Sequence, residues 1–340
     1  MRNHWRDHLP RRGWLLALVL LMALVTAACA APPPPSTEGG AAAQPQEAAP
    51  AAGAEKITIK LAENPWTGSQ VNVAVAKNIL ENQLGYTVEI VTIDENAQWP
   101  AIAAGDIHAS LEVWPSGHAE NVAQYVDTGV VENGGLLGVI GRIGWYEPTY
   151  VVEEHPELAT WEGFQDPELA KLFATAETGD KGQFLAGDPS WVQYDDQIIE
   201  NLGLHLQIVY AGSEEAILAA VDSAYSRQEP ILFYFWTPHS AFTRFDLTRV
   251  ELPPYSDECY AKADEGGVDC DYPPDELFKI LWPELKEKAP DAYQLLKNMQ
   301  YTNDDQIQMI AAVEVDGKTP DEAAQAWLDA NPDVWKAWLP

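Results

Sequence analysis

Residues 56–114 decide the fold, and they read KITIKLAENPWTGSQVNVAVAKNILENQLGYTVEIVTIDENAQWPAIAAGDIHASLEVW. Apolar residues alternate at Ile57, Ile59 and Leu61, as they do on a half-buried strand. The pattern then predicts, in order, a helix over 69–84, a strand over 87–93, a helix over 99–104 and a strand over 109–114. Strand–helix–strand repeats of this kind indicate an α/β fold with largely parallel strands.

The same alternation continues along the chain, with fewer and shorter strands. The sequence predicts extended chain over 144–152 and short buried strands over 208–210 and 231–236. Helices are predicted over 166–173, 190–202 and 214–227, and from residue 276 almost the whole chain is expected to be helical.

Tryptophans stand where an open parallel sheet binds its ligands. Such sheets hold ligands in the crevice beyond the carboxyl ends of their strands. The chain has 13 tryptophans, and for most of them packing is the expected role. Four differ because each lies beside a turn residue at a strand end or helix start: Trp66, Trp114, Trp191 and Trp236.

Several tryptophan faces suit one ligand chemistry. A quaternary ammonium has a diffuse charge, an apolar methyl coat and no N–H donor, and an aromatic face offers it negative potential and apolar area together. Three desolvated faces would supply about 6 kcal/mol, and a micromolar site needs about 8 kcal/mol. The sequence therefore favours a cage for such a cation.

A ligand carboxylate could be held at the start of the helix predicted over 190–202. Ser190 and Gln193 form a capping-box pattern, and the first turn of that helix would include Val192. Free N–H groups at a helix start bind anions. A plain helix cap with no ligand is the alternative.

The first 54 residues indicate export and an anchor. Arginines precede a short apolar run within 1–28, as in a secretory signal peptide. The small residues before Cys29 predict a lipobox, with Cys29 lipidated. Residues 29–54 are rich in proline, alanine and glycine and are expected to form a disordered tether. The chain is therefore expected outside the cytoplasm, attached to the membrane by lipid only.

Charge and cysteine usage exclude other classes. The formal net charge of −32 is unsuited to nucleic acid or anionic lipid. Cys259 and Cys270 flank a short acidic loop, and outside the cytosol a disulfide between them is favoured. No second pair of ligands at zinc spacing accompanies them, so no metal or cofactor is expected.

Seven segments together resemble one known family, the glycine betaine/proline betaine/choline substrate-binding proteins of ABC importers. The resemblance extends over nearly all of residues 56–340, and the segments follow the family's order: ENPWTGSQVNVAVAKNILENQLGYTVEIV, GDIHASLEVWPSGH, GWYEPTYVV, DPELAKLF, GDPSW, ILFYFWTPH and DGKTPDEAAQAWLDANPDVWKAWL. Each motif is modest alone, and the set is specific.

The resemblance implies a two-lobed periplasmic-binding fold of the Venus-flytrap type, with parallel-dominated sheets and two hinge crossovers. The crossovers would fall near 138–142 and 238–248. Lobe I would then comprise 55–142 plus 245–340, and lobe II would comprise 143–244. The ABC permease and its ATPase would be the partners.

The resemblance also assigns roles to single residues. Trp114, Trp191 and Trp236 would form the cage, and the backbone of Val192 and Gln193 would hold a carboxylate. Three further candidates match positions used in some members: Trp66, Tyr146 and His239. Trp66 and Tyr146 would tilt the preference towards choline. His239 would contact a carboxylate, although a packing role is the alternative.

Three alternatives remain open on sequence alone. A choline- or carnitine-selective binder of the same fold would use the same cage. A sugar-binding lipoprotein would also stack rings on tryptophan, but it would need more hydroxyl-reading polar groups around them. An enzyme is disfavoured because Gly317-Lys318-Thr319 lacks the earlier glycine of a P-loop and no hydrolase or zinc motif occurs.

Overall fold

The computed structural model describes residues 56–340. The predicted signal peptide, the tether and Cys29 lie outside the described residues. Within 56–340, no helix is both long and apolar enough to cross a membrane.

Nine strands form one continuous sheet. They are β1 Ile59–Glu63, β2 Val88–Thr92, β3 Ala109–Val113, β4 Glu132–Pro148, β5 Gly182–Ala186, β6 Leu206–Tyr210, β7 Leu232–Thr237, β8 Leu247–Arg249 and β9 Pro274–Leu281. Their spatial order is β2-β1-β3-β9-β4-β7-β5-β6, with β8 paired to β4. Two parallel blocks, β2-β1-β3 and β7-β5-β6, are joined through the antiparallel strands β9 and β4.

Within the described residues there are fourteen α-helices. They are α1 Thr67–Asn82, α2 Gln98–Ala104, α3 Ala119–Asn121, α4 Thr149–Glu154, α5 Pro167–Ala170, α6 Asp195–Asn201, α7 Glu214–Arg227, α8 Ala241–Arg244, α9 Asp257–Tyr260, α10 Leu285–Lys288, α11 Pro290–Asn298, α12 Asn303–Glu314, α13 Pro320–Ala330 and α14 Pro332–Lys336. The α/β class and the predicted strand–helix order of the first block are confirmed.

Local capping explains where several helices begin and end. Ser213 caps α7 by accepting a hydrogen bond from the N–H of Ala216. Thr319 and Glu322 form a capping box at α13, with Pro320 at the first helical position. The Gly317-Lys318-Thr319 run is therefore a helix start. The end of α2 needs Gly105, whose φ of 76° is left-handed.

Three predicted elements are wrong at their edges. Helix was expected from residue 276, but β9 continues to Leu281 and the helices follow it. Extended chain was expected over 144–152, but β4 ends at Pro148 and α4 follows. A helix was expected over 190–202, but α6 begins only at Asp195. There the chain first makes a turn, in which the Ser190 N–H donates to the Asp188 carboxylate at 2.8 Å.

Two large apolar cores lie on either side of the antiparallel strands. The first core packs β1 and α1 against α11–α13, and includes Leu137, Val139 and Leu277. The second core surrounds β5 and β7, and includes Ile143 and Tyr272. The chain therefore leaves the first core along β4, between Val139 and Ile143.

The apolar packing differs from the expected lobe boundary at residue 244. Phe245, Val250 and Leu252 belong to the second core, as do Cys259 and Cys270. The sulfurs of Cys259 and Cys270 are joined at 2.09 Å. We propose that the chain returns to lobe I between Tyr272 and Leu277, because β9 carries it there.

Candidate functional site

One pocket opens beyond the carboxyl ends of the strands and is lined from both cores. Trp114 directly follows β3, Trp236 stands near the end of β7, and Trp191 follows β5. The space between its lining residues, including the part open to solvent, is about 430 Å³. The lining residues are Trp66, Glu95, Trp114, Gly117, His118, Ile143, Trp191, Val192, Tyr234 and Trp236.

The aromatic rings meet at steep angles. The Trp66 and Trp191 rings have centroids 6.1 Å apart and planes at 88°. Trp191 and Trp236 are 5.3 Å apart at 83°, and Tyr234 lies 6.2 Å from Trp191. Edge-to-face packing is the favoured arrangement of aromatic pairs. Near-perpendicular neighbours form adjacent walls of a box.

Two glycines make room for the rings. A Cβ placed on Gly141 in β4 would lie 2.2 Å from Cζ3 of Trp114. A Cβ on Gly187 would lie 2.3 Å from Cε3 of Trp191. Any larger residue at these two positions would therefore push an indole out of place.

A single buried carboxylate orients two of the walls. Oε1 of Glu112 in β3 accepts hydrogen bonds from Nε1 of Trp66 at 2.7 Å and from Nε1 of Trp114 at 3.0 Å. Its Oε2 accepts from the amide groups of Asn72 and Gln306. Burial raises the pKa of Glu112, and the indole and amide donors oppose that rise. Glu112 thus acts behind the rings and holds them in position.

The polar end of the pocket is built from Glu95, His118 and Val192. Oε1 of Glu95 accepts from the Val192 N–H at 2.6 Å, and Oε2 lies 3.2 Å from Nε2 of His118. The Asn121 amide lies 3.1 Å from Nδ1 of His118. If that amide donates, the ring proton sits on Nε2 and points at Glu95. Both carboxylate oxygens therefore already accept one hydrogen bond each.

Five of the predicted site residues line this pocket: Trp66, Trp114, Trp191, Trp236 and Val192. The expected use of Val192 is wrong, however. Its N–H does not open a helix, because α6 begins at Asp195, and it is engaged by Glu95.

Tyr146 and Gln193 do not line the pocket. Tyr146 packs against Phe242, with centroids 5.0 Å apart, on the other side of β4. Gln193 holds its own loop, because its side-chain amide donates to the Asp188 carbonyl at 2.9 Å and accepts from the Gly187 N–H.

His239 is a packing residue inside a charged cluster. Its Nε2 lies 2.7 Å from Glu214 and 3.1 Å from Glu314, and its Nδ1 accepts from the Ala241 N–H. Burial lowers the pKa of His239, but the two carboxylates outweigh burial and raise it to about 9. Both ring nitrogens are engaged and His239 does not line the pocket, so the structure supports the packing role and gives no support to the expected contact with a ligand.

The Glu214, His239 and Glu314 cluster also has the atoms of a metal site, since its ligating atoms lie within 4.8 Å of one another. The short histidine–carboxylate distances instead fit a protonated histidine between two carboxylates.

Sequence reasoning missed five lining residues: Glu95, Gly117, His118, Ile143 and Tyr234. Tyr234 carried a usable signal, because it stands two residues before Trp236 on one strand and therefore shares its face. Glu95 and His118 carried none, since only the folded chain brings the β2–α2 loop beside the turn after β3.

Comparison with known proteins gives a consistent result. Residues 57–330 match the family described as the substrate binding domain of ABC-type glycine betaine transport system. The trimethylamine N-oxide-binding protein of Pelagibacter ubique (strain HTCC1062) is 29% identical over 294 residues, which cover 84% of this chain and 91% of that protein.

Solved structures share the fold. Lactococcal OpuAC, closed around glycine betaine, superposes with a TM-score of 0.66 at 19% identity, covering 84% of this chain and all of that one (100%). An ABC-transporter choline-binding protein in complex with choline gives a TM-score of 0.66 at 20% identity, covering 83% of this chain and 91% of that one.

The role of Glu112 can be tested by unfolding. Glu112→Ala leaves two indole N–H groups without their acceptor, so we expect the free energy of unfolding to fall by about 3 kcal/mol. Glu112→Gln should lose less of the free energy of unfolding, because its amide oxygen can still accept hydrogen bonds from the indole N–H groups. Urea titration followed by tryptophan fluorescence measures both variants. The control is Glu89→Ala, an exposed glutamate on β2, and an equal effect of Glu89→Ala and Glu112→Ala would contradict the assignment.

Proposed function

The chain belongs to the family of substrate-binding domains of ABC-type glycine betaine transport systems, and from this premise we propose that its aromatic pocket holds the trimethylammonium group of the ligand. The walls are Trp66, Trp114, Trp191 and Trp236, with Tyr234 beside them.

The steep ring angles carry this proposal. A trimethylammonium group presents methyls in every direction, and faces set near 90° contact several of them at once. The rings are nearly dry: Trp66 is 5% exposed, Trp236 is 6% exposed and Trp191 is 9% exposed. Cation–π attraction is strongest at such desolvated faces.

The pocket's polar groups favour this ligand over a sugar. A sugar needs donors and acceptors around its whole rim, because each unpaired hydroxyl in a dry site costs free energy. In this pocket the carboxylate of Glu95 and the imidazole of His118 lie next to each other and form a hydrogen bond, so they are not spread around the rim. We propose ligand capture without turnover, consistent with the transport role of the relatives.

Closure of the two lobes on the ligand supports delivery to an ABC permease. Trp114 follows a strand of the first block, whereas Trp191 and Trp236 belong to the second core. Bonds between the two sides accompany the rings: Glu214 in α7 accepts from the N–H of Thr67 at 2.7 Å, and Glu95 from that of Val192. A ligand that touches both sides favours the closed state by its differential affinity.

Removing one wall tests the box. We expect Trp236→Ala to weaken binding of glycine betaine or choline about 30-fold, because one desolvated cation–π face is worth about 2 kcal/mol. Isothermal titration calorimetry measures the change. Trp335→Ala removes a half-buried indole of α14 outside the pocket and is the control. Parent-like affinity in Trp236→Ala would remove that ring from the proposal.

We also propose that Cys29 carries the lipid that keeps the protein at the outer face of the membrane. The apolar run before it and the small residues beside it support this assignment.

Detergent partition tests the anchor. Expressed with its leader in a bacterium that processes lipoproteins, the parent should enter the detergent-rich phase of Triton X-114. Cys29→Ser should stay in the aqueous phase, because it lacks the acylated thiol. Ser36→Ala, a substitution between Cys29 and the described residues, is the control, and equal partition of the parent and Cys29→Ser would contradict the proposal.

A further inference from the structure

We propose that Glu95 sets the ligand selectivity of the pocket, so that it takes trimethylammonium cations whose other end is an uncharged hydrogen-bond donor and discriminates against those that end in a carboxylate. The proposal rests on the proposed function, since it concerns the far end of the same ligand. Choline has the favoured chemistry, and glycine betaine has the disfavoured one.

Glu95 is a fixed part of the pocket wall. It lies in the loop between β2 and α2, is 8% exposed, and lines the same space as the tryptophans. Its two oxygens bond to the Val192 N–H at 2.6 Å and to His118 at 3.2 Å. His118 is itself only 2% exposed and is bonded to Asn121. The carboxylate is thus held on two sides and cannot swing away freely.

The two donors that adjoin Glu95 are already used, and the hydroxyl of Tyr234, which also lines the pocket, is a neutral donor. The Val192 N–H and Nε2 of His118 both face Glu95. No lysine or arginine is among the lining residues of the described chain. The indole N–H of Trp191 is buried without a hydrogen-bond partner among the described residues, but it is a neutral donor. A ligand carboxylate would therefore meet a like charge in a dry site, where repulsion is little screened.

A hydroxyl meets the opposite situation. Each oxygen of Glu95 has accepted one hydrogen bond and keeps acceptor capacity for another. A hydroxyl donated to an ionised acceptor makes one of the stronger hydrogen bonds. A ligand of net charge +1 also suits the aromatic faces at its other end.

Calorimetry of three ligands against the mature protein tests the proposal: choline, glycine betaine and tetramethylammonium. For the parent we expect choline to bind at least about tenfold more tightly than glycine betaine. Glu95→Gln keeps the side-chain volume and removes the charge. The affinity for choline should therefore fall at least about tenfold, while the affinity for glycine betaine rises. Glu120→Gln, an exposed glutamate on α3 outside the lining, is the matched control and should keep the parent's ratio.

The outcomes separate this proposal from the function beneath it. If none of the three compounds binds the parent, the proposed function fails. If tetramethylammonium binds but the parent prefers glycine betaine to choline, the Glu95 proposal alone fails. The ratio of the choline and glycine betaine affinities is measured on the parent protein alone, so it tests the Glu95 proposal even if Glu95→Gln does not fold. A choline-to-betaine ratio that is equal in the parent and a folded Glu95→Gln would also overturn it.

Discussion

Glu112 accepts hydrogen bonds from the indole N–H groups of Trp66 and Trp114 through one carboxylate oxygen, and the binding site depends on that shared acceptor. Trp66 precedes α1 and Trp114 follows β3, so the bond ties two separate elements to one point in the core. Asn72 of α1 and Gln306 of α12 complete its hydrogen bonding. Burial of a carboxylate costs free energy unless hydrogen bonds compensate for the lost water. Moving either indole away would leave the buried Glu112 carboxylate short of a hydrogen bond, and this free-energy cost keeps both indoles in position.

Close packing against glycines also positions the rings of Trp114 and Trp191. Gly141 and Gly187 leave no room for a Cβ between the backbone and the rings of Trp114 and Trp191. Since these rings come from both sides of the pocket, a ligand between them links the two sides. Under the proposed function, binding and lobe closure would be one equilibrium, and this coupling would let a permease distinguish loaded from unloaded protein.

Sequence patterns identified the four tryptophans that line the pocket but did not identify the residues of its polar end. The four tryptophans were identifiable because each follows a strand or precedes a helix beside a turn residue, and parallel sheets bind at that edge. The helix start at 190 was mispredicted because Ser190 and Gln193 match a capping box, whereas the local bond from Ser190 to Asp188 makes a turn that delays the helix to Asp195. Glu95 and His118 are 23 residues apart and meet only through tertiary packing. The boundary at 244 was expected from the order of motifs alone, whereas Phe245 and Tyr272 pack in the second core and Leu277 packs in the first.

The central claim is that the pocket binds charge through aromatic faces and does not simply bury methyl groups. The most direct test compares choline with 3,3-dimethylbutan-1-ol, which has the same shape and a carbon in place of the charged nitrogen. By calorimetry the account predicts that the neutral alcohol binds at least about 30-fold more weakly, because it gains apolar burial and loses the cation–π attraction. Affinities within about threefold of each other would contradict it, since apolar contact alone would then explain the binding.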